Sequence, residues 1–259
     1  MPNFAANLTM MYGEHAFLDR FAAAAKDGFR GVEFLFPYAF PAAELAQRLR
    51  DNGLTQALHN LPAGDWDAGE RGVAILADRA QEFRDGVQKA IDYAGALGCK
   101  TLNCLAGKVP AGADAKRLHA TFIDNLGFAA GQLKAAGIRL VIEPINTYDI
   151  PGFYLNHTKQ AADIIAEVGS DNLFIQHDIY HMQRMEGELA RTIEANLKLI
   201  GHVQIADNPG RNEPGTGEIN YPFLFGLLDR IGYAGWIGCE YKPAAATSAG
   251  LGWFAPYKG

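Results

Sequence analysis

Residues 135–143 read Ala135-Ala-Gly-Ile-Arg-Leu-Val-Ile-Glu143. A glycine past a helical pattern accepts the left-handed conformation that satisfies the helix's last carbonyls; a short apolar run follows, and a carboxylate closes it. The same order recurs along the chain. Helical patterns stop at Lys26-Asp-Gly28, Asp51-Asn-Gly53, Ala96-Leu-Gly98 and Arg230-Ile-Gly232, and a strand-like run begins within a few residues each time. In the second half, Leu173-Phe-Ile-Gln-His-Asp178, Gly201-His-Val-Gln204 and Gly235-Trp-Ile-Gly-Cys-Glu240 repeat the polar ending of Arg139-Leu-Val-Ile-Glu143. A strand reverses side-chain direction at every residue, so a polar residue closing an apolar strand lies at the sheet rim beside the next loop.

Worked outward, the alternation predicts eight strands, near residues 4–8, 31–36, 55–59, 100–104, 138–143, 172–177, 200–205 and 235–240. Helices are predicted at about 15–28, 41–52, 78–98, 115–136, 157–168, 186–198 and 221–232. Eight strands alternating with helices in a chain of 259 residues favour an α/β fold of the (β/α)8 TIM-barrel type, as a single domain over residues 1–259. No G-x-G-x-x-G follows the first strand, which speaks against a dinucleotide-binding sheet. The third connection, Asn60-Leu-Pro-Ala-Gly-Asp-Trp-Asp-Ala-Gly-Glu-Arg-Gly72, is long, and long loops in compact domains are commonly functional.

With 49% hydrophobic and 20% charged residues the chain can bury a large core, so disorder is expected only at the ends. The N-terminal segment lacks a basic stretch and an apolar core, and no run is long enough to span a bilayer, so a cytoplasmic protein without a membrane partner is expected. Cys99, Cys104 and Cys239 form no CxxC pair and read as buried thiols. A net charge of -6 argues against a nucleic-acid partner. The sequence leaves the oligomeric state open, a homo-oligomer included.

Barrel enzymes carry their active sites at the carboxyl ends of the strands, where Glu143, Asp178, Gln204 and Glu240 fall. Three carboxylates and an amide oxygen suit a hard divalent cation such as Mg2+ or Mn2+, whereas zinc would favour imidazole or thiolate. The competing reading makes them solvated rim residues or salt-bridge partners. His177 belongs to a strand and points opposite to Asp178, so it reads as packing. His181 reads as a substrate contact or a surface residue, and His202 as a hydrogen-bonded core histidine or a support for Gln204. His59, Asn60 and Phe36 close the third and second strands and face the same expected mouth, although strand ends also need caps. Lys108, Arg71, Arg211 and Lys242 are the cations nearest these loops, and most such residues merely solvate a surface. No P-loop, G-x-S-x-G or H-E-x-x-H is present, and Gly215-Thr-Gly217 reads as a tight turn in the seventh βα loop.

At these residues the chain resembles the hydroxypyruvate isomerase family of the xylose-isomerase-like barrels, which includes 2-oxo-tetronate isomerases. The resemblance spans essentially the whole length. It rests on His59-Asn-Leu-Pro-Ala-Gly-Asp-Trp66, Ile142-Glu-Pro-Ile-Asn146, Asp178-Ile-Tyr-His-Met-Gln-Arg-Met-Glu-Gly187, Gln204-Ile-Ala-Asp-Asn-Pro209, Glu213-Pro-Gly-Thr-Gly-Glu-Ile-Asn-Tyr221 and Gly238-Cys-Glu-Tyr-Lys-Pro243. It implies a metal at Glu143, Asp178, Gln204 and Glu240, catalytic proton exchange by Glu143 and Glu240, and His181 beside the substrate. His59, Arg211 and Lys108 complete the expected substrate contacts.

The reaction so implied moves a carbonyl between adjacent carbons of a small hydroxy-oxo acid, hydroxypyruvate to 2-hydroxy-3-oxopropanoate or its four-carbon counterpart, through an enediolate. Related ketose 3-epimerases carry histidine where this chain has Gln204, and Arg211 sits one position off their spacing. The rivals are a ketose 3-epimerase, a metal-dependent DNA-repair nuclease and a non-catalytic sugar-binding barrel. An anion-binding cation at the site separates the first, a histidine-rich cluster with a basic face the second, and lack of proton exchange the third.

Overall fold

In the computed structural model, which describes residues 2–258, the eight apolar runs close into one barrel. Strands β1 (Asn3–Asn7), β2 (Gly31–Glu33), β3 (Thr55–Asn60), β4 (Thr101–Cys104), β5 (Arg139–Ile142), β6 (Leu173–Asp178), β7 (Ile200–Ile205) and β8 (Trp236–Cys239) pair in parallel and in sequence order. The closing joint is β1 against β8, with Phe4 opposite Ile237 and Ala6 opposite Cys239. Around it lie α1 (Arg20–Lys26), α2 (Ala42–Asp51), α3 (Ala80–Leu97), α4 (Ala115–Ala135), α5 (Thr158–Val168), α6 (Ile179–Met185), α7 (Leu189–Asn196) and α8 (Tyr221–Arg230).

Helix α3 illustrates how pattern becomes packing. Phe83, Val87, Ala90, Ala94 and Leu97 recur every three or four residues and are its buried face. Burying a side chain such as Phe83 or Val87 stabilises by about 1.5–3 kcal/mol. The helix ends where Gly98 turns left-handed at φ 68°, and Gly137, just past α4, has the same φ. An L side chain there would crowd the following carbonyl.

Four elements depart from the sequence reading. The second strand stops at Glu33 rather than residue 36, because its register with β3 slips between Val32 and Glu33 and the chain then leaves the sheet toward Pro37. Helix α6 went unread: it starts on the residue after β6, with no loop between, and seven residues are too few to display a period. The predicted helix at 186–198 is α7, which begins only after Gly187. A 3-10 segment, Thr247–Tyr257, was also unread. It brings Trp253, Phe254 and Tyr257 against Phe4, with ring centroids 5.2, 5.8 and 5.3 Å away, and so covers the barrel at the amino end of β1.

With that end sealed, access to the interior runs from the carboxyl ends of the strands. Asn7, Glu33, Asn103, Gln176, His202 and Gln204 are all buried there, and such polar groups persist only when hydrogen-bonded. Among the described residues no helix is long and apolar enough to cross a membrane. All three cysteines are free and buried.

Candidate active site and metal centre

The placement of Asp178 follows from the junction between β6 and α6. As the N-cap of α6 its Oδ1 accepts hydrogen bonds from the backbone N–H of Tyr180 (2.8 Å) and His181 (3.2 Å), which satisfies donors that a helix start leaves open. Its Oδ2 is buried with no protein hydrogen-bond partner. The cap thus immobilises one carboxylate oxygen and turns the other into the barrel mouth. The same turn delivers His181, three residues on, whose Nε2 lies 3.6 Å from that Oδ2 and 3.7 Å from Glu143 Oε1.

The tautomer of His181 is set by its neighbour. Asn146 Oδ1 accepts from the backbone N–H of Tyr148 (3.1 Å) and Asp149 (2.8 Å), so its Nδ2 is the edge 2.6 Å from His181 Nδ1 and donates to it. The imidazole proton therefore sits on Nε2. Burial, then the charges of Arg211 and Arg184, hold the His181 pKa well below the usual histidine range, so it stays neutral. It offers the cluster an N–H donor.

Glu143 and Glu240 follow β5 and β8 directly and converge on the same point. One ligating atom from each of Glu143, Asp178, His181 and Glu240 lies within 4.8 Å of all the others, and all four residues are buried. Asn103 Nδ2 donates to Glu143 Oε2 (3.0 Å); Asn7 Nδ2 and Gln204 Nε2 donate to Glu240 Oε1 (3.2 and 3.4 Å). Burial first, and then the neighbouring carboxylates, push Glu143 well above the usual range. Burial raises Asp178 to about 6 and Glu240 to about 8, against the opposing pull of Arg211. Crowded carboxylates with one orphaned oxygen are what a divalent cation relieves, so the cluster could hold a metal ion.

Arg211 is the cation that reaches this cluster. Its Nη2 lies 2.5 Å from Glu240 Oε2 and 4.0 Å from Asp178 Oδ2, its Nη1 3.5 Å from Asp149 Oδ2, and its guanidinium stands over the Tyr180 ring at 5.1 Å. Burial opposes its charge, but the surrounding carboxylates more than offset this and raise its pKa. Its Nε is buried without a protein acceptor. The backbone of Arg211 is left-handed, φ 54°, a conformation that costs a non-glycine residue energy. It is clamped by its N–H to Asp207 C=O and by Lys242 N–H to its own C=O, both 2.8 Å. Asp207 in turn accepts the backbone N–H groups of Gly215, Gly217 and Ile219, which folds the Gly215-Thr-Gly217 loop around its carboxylate.

The structure brings Glu143, Asp178, Gln204, Glu240, His181 and Arg211 together and leaves two expected residues outside. Lys108 is exposed, and its backbone bridges to Phe153. His59 corrects the sequence reading. Strand alternation gives the inward position to Asn60, whose Oδ1 accepts from Asn103 (3.2 Å), while the His59 ring lies near Ala90 of α3 and edge-on to Tyr38 at 6.2 Å. It is a packing residue. Arg71 covers the Trp66 ring at 3.9 Å, and Lys242 is exposed. His177, on the outer face of β6, has no side-chain hydrogen bond, and burial lowers it to about 4.

The outward His59 carries a stability prediction. Burial lowers its pKa to about 3 against an ordinary 6.5, so the unfolded chain binds the extra proton as pH falls between those values. Its contribution is fully present above pH 6.5 and is lost on acidification, by about 2 kcal/mol between pH 7 and 5. Urea unfolding at both pH values should show this loss in the parent and lack that share of it in His59→Leu. An equal pH slope in both proteins would show that His59 does not titrate in that window.

Sequence reasoning missed Glu33, Asn7, Asn103 and Asn146. The signal for Glu33 was present, a carboxylate inside the apolar run Gly31-Val-Glu-Phe-Leu-Phe36, but nothing in the run said that it points inward.

A profile of the xylose isomerase-like TIM barrel family matches residues 21–257. Hydroxypyruvate isomerase of Escherichia coli K12 is 57% identical over 258 residues, covering 100% of both chains. 2-Oxo-tetronate isomerase of Cupriavidus necator is 56% identical, again over 100% of both. A crystal structure described as AP endonuclease, family 2, from Brucella melitensis superposes with TM-score 0.98 at 49% identity over 100% of both chains.

Proposed function

The chain belongs to the xylose isomerase-like TIM barrel family and, within it, to the hydroxypyruvate isomerase family, and from that premise we propose that it isomerises a small hydroxy-oxo acid by proton transfer through an enediolate. The observation that carries this reading is the placement of two buried glutamates, Glu143 and Glu240, with ligating atoms within 4.8 Å of each other and a half-buried arginine beside one of them. Adjacent carbons, about 1.5 Å apart, fit between two such groups. One glutamate takes the proton from the hydroxymethyl carbon and the other returns a proton to the former carbonyl carbon, while the hydroxyl proton passes from the hydroxymethyl oxygen to the former carbonyl oxygen.

The substrate's carboxylate fits Arg211, whose buried Nε lacks an acceptor and whose planar fork suits carboxylates. The Nε2–H of His181 is placed to donate to a substrate oxygen on which charge develops. The oxygen donors of Glu143, Asp178, Gln204 and Glu240 suit Mg2+ or Mn2+, and Asp178 Oδ2 is already directed to the centre. Such a cation, when bound, supplies Lewis-acid stabilisation of negative charge at the substrate oxygens. Hydroxypyruvate and its four-carbon homologue both satisfy this arrangement.

Hydroxypyruvate, a 2-oxo-tetronate and a free ketose, assayed side by side with Mg2+ or Mn2+, test the reading. Turnover of either oxo acid is expected. Turnover of the ketose alone would replace this proposal with an epimerase, and incision of abasic-site DNA alone with a nuclease. The cluster holds one histidine and the net charge is -6, neither of which suits the nuclease.

An enediolate reacts with solvent if exposed, so the loop from Asn60 to Gly72 is proposed to cover the pocket. Trp66 in that loop packs against Phe36 at 5.0 Å beyond the end of β2, with the Arg71 guanidinium over its ring at 3.9 Å. Trp66→Ala is expected to lower kcat and raise the share of decomposition products seen by NMR. Unchanged turnover and product ratio would remove the lid.

A further inference from the structure

We infer that Glu33 is a positioning residue that fixes which edge of the Gln204 amide faces the metal centre and, through Asn7, holds Glu240 in place. The inference rests on the reading of Gln204 as a metal ligand. An amide side chain has two nearly isosteric edges, and only the oxygen can bind a hard cation. Something must select that edge.

Glu33 makes the selection by geometry. Asn7 Oδ1 accepts from the backbone N–H of Thr9 (3.1 Å), so its Nδ2 must be the edge toward Glu33 Oε1 (3.0 Å), and that oxygen is an acceptor. The same Oε1 is 2.7 Å from Gln204 Nε2. The N–H edge of Gln204 therefore faces Glu33, and the same Nε2 also reaches Glu240 Oε1 at 3.4 Å. Its Oε1 points the other way, where it accepts from Gln176 Nε2 at 2.6 Å and keeps a second lone pair. Glu33 Oε2 is fixed by His202 Nε2 at 2.7 Å, and Asn7 Nδ2 extends the arrangement to Glu240 Oε1 at 3.2 Å. Glu33 is fully buried below the cluster, so it acts through these neighbours rather than on substrate.

Strand β8 gives up a side chain to admit this carboxylate. A Cβ placed on Gly238 would lie 2.3 Å from both oxygens of Glu33 and 2.4 Å from its Cδ. Every residue other than glycine at 238 would displace the group. A buried hydrogen bond between Glu33 and His202 serving stability alone is the competing account, and it predicts no particular effect on metal affinity.

Mn2+ titration, followed by electron paramagnetic resonance and calorimetry beside thermal unfolding, separates the two. Glu33→Met, which removes the acceptor and lets the Gln204 amide flip, is expected to raise the Mn2+ Kd about 10- to 100-fold, as loss of a group that orients a metal ligand typically does. Gly238→Ala alone should be unstable. The double variant Glu33→Ala/Gly238→Ala, in which the new methyl occupies the vacated carboxylate space, should recover the thermal midpoint without recovering the Kd. Parental Mn2+ affinity in Glu33→Met or in the double variant, with Gln204→Ala weakened, overturns the inference alone. Parental affinity in Gln204→Ala overturns the ligand assignment and this inference with it.

Discussion

Glu143→Gln and Glu240→Gln are each expected to lose about 10²- to 10⁴-fold in kcat for the oxo-acid isomerisation, the range that general acid–base groups contribute. The amide keeps the shape and an oxygen toward the cluster but cannot accept the proton. Both residues sit where burial raises the carboxyl pKa, and Glu143 is raised further by the charges of Glu240 and Asp178. Removing a negative charge there should leave the thermal midpoint unchanged or higher, which distinguishes lost chemistry from lost fold. Because the two groups act on one intermediate, the double variant should be little slower than either single one.

Solvent deuterium assigns the roles. Suppose one variant still exchanges deuterium into the hydroxymethyl carbon of hydroxypyruvate while forming no aldehyde. The glutamate it retains is then the base at that carbon, and the replaced one serves the neighbouring carbon. Near-normal isomerisation by either variant would leave a bound water as the base, and the two-glutamate mechanism would fail.

The rim of this barrel was legible because it is written in short-range rules. An apolar run, a closing carboxylate and a glycine stop place Glu143, Asp178, Gln204 and Glu240 at strand ends without any knowledge of the partners. The layer beneath was not, because inward direction within a strand depends on register. His59 and Asn60 are adjacent, and only the pairing of β3 with β4 assigns Asn60 to the interior and His59 to α3. Glu33 needed the slip between Val32 and Glu33 to be known as well. Its partners Asn7, His202 and Gln204 are 26, 169 and 171 residues away in sequence, so no local window contains them. Helix α6 is hidden for a local reason: no loop parts it from β6, seven residues show no period, and its cap, Asp178, is also a site residue, one carboxylate doing both jobs with different oxygens.

Arg211→Met should cost about 2–5 kcal/mol, as truncating one partner of a buried charge pair does, or roughly 30- to 5,000-fold in kcat/KM. Two effects contribute, and they separate. Arg211 is 2.5 Å from Glu240 Oε2 and 4.0 Å from Asp178 Oδ2, so its loss strips the carboxylates of a compensating charge whatever ligand is present. Its unpaired Nε, by contrast, matters only to a ligand that brings an acceptor. A substrate-shaped hydroxy acid and its neutral amide, compared as inhibitors of parent and variant, read the second effect by itself. The acid should lose more affinity than the amide in Arg211→Met, and Arg211→Lys should recover part of the difference, since a lysine restores the charge without the planar fork. Equal losses for acid and amide would reduce Arg211 to a counterion for Glu240, and the carboxylate of the substrate would then have to be held by another group.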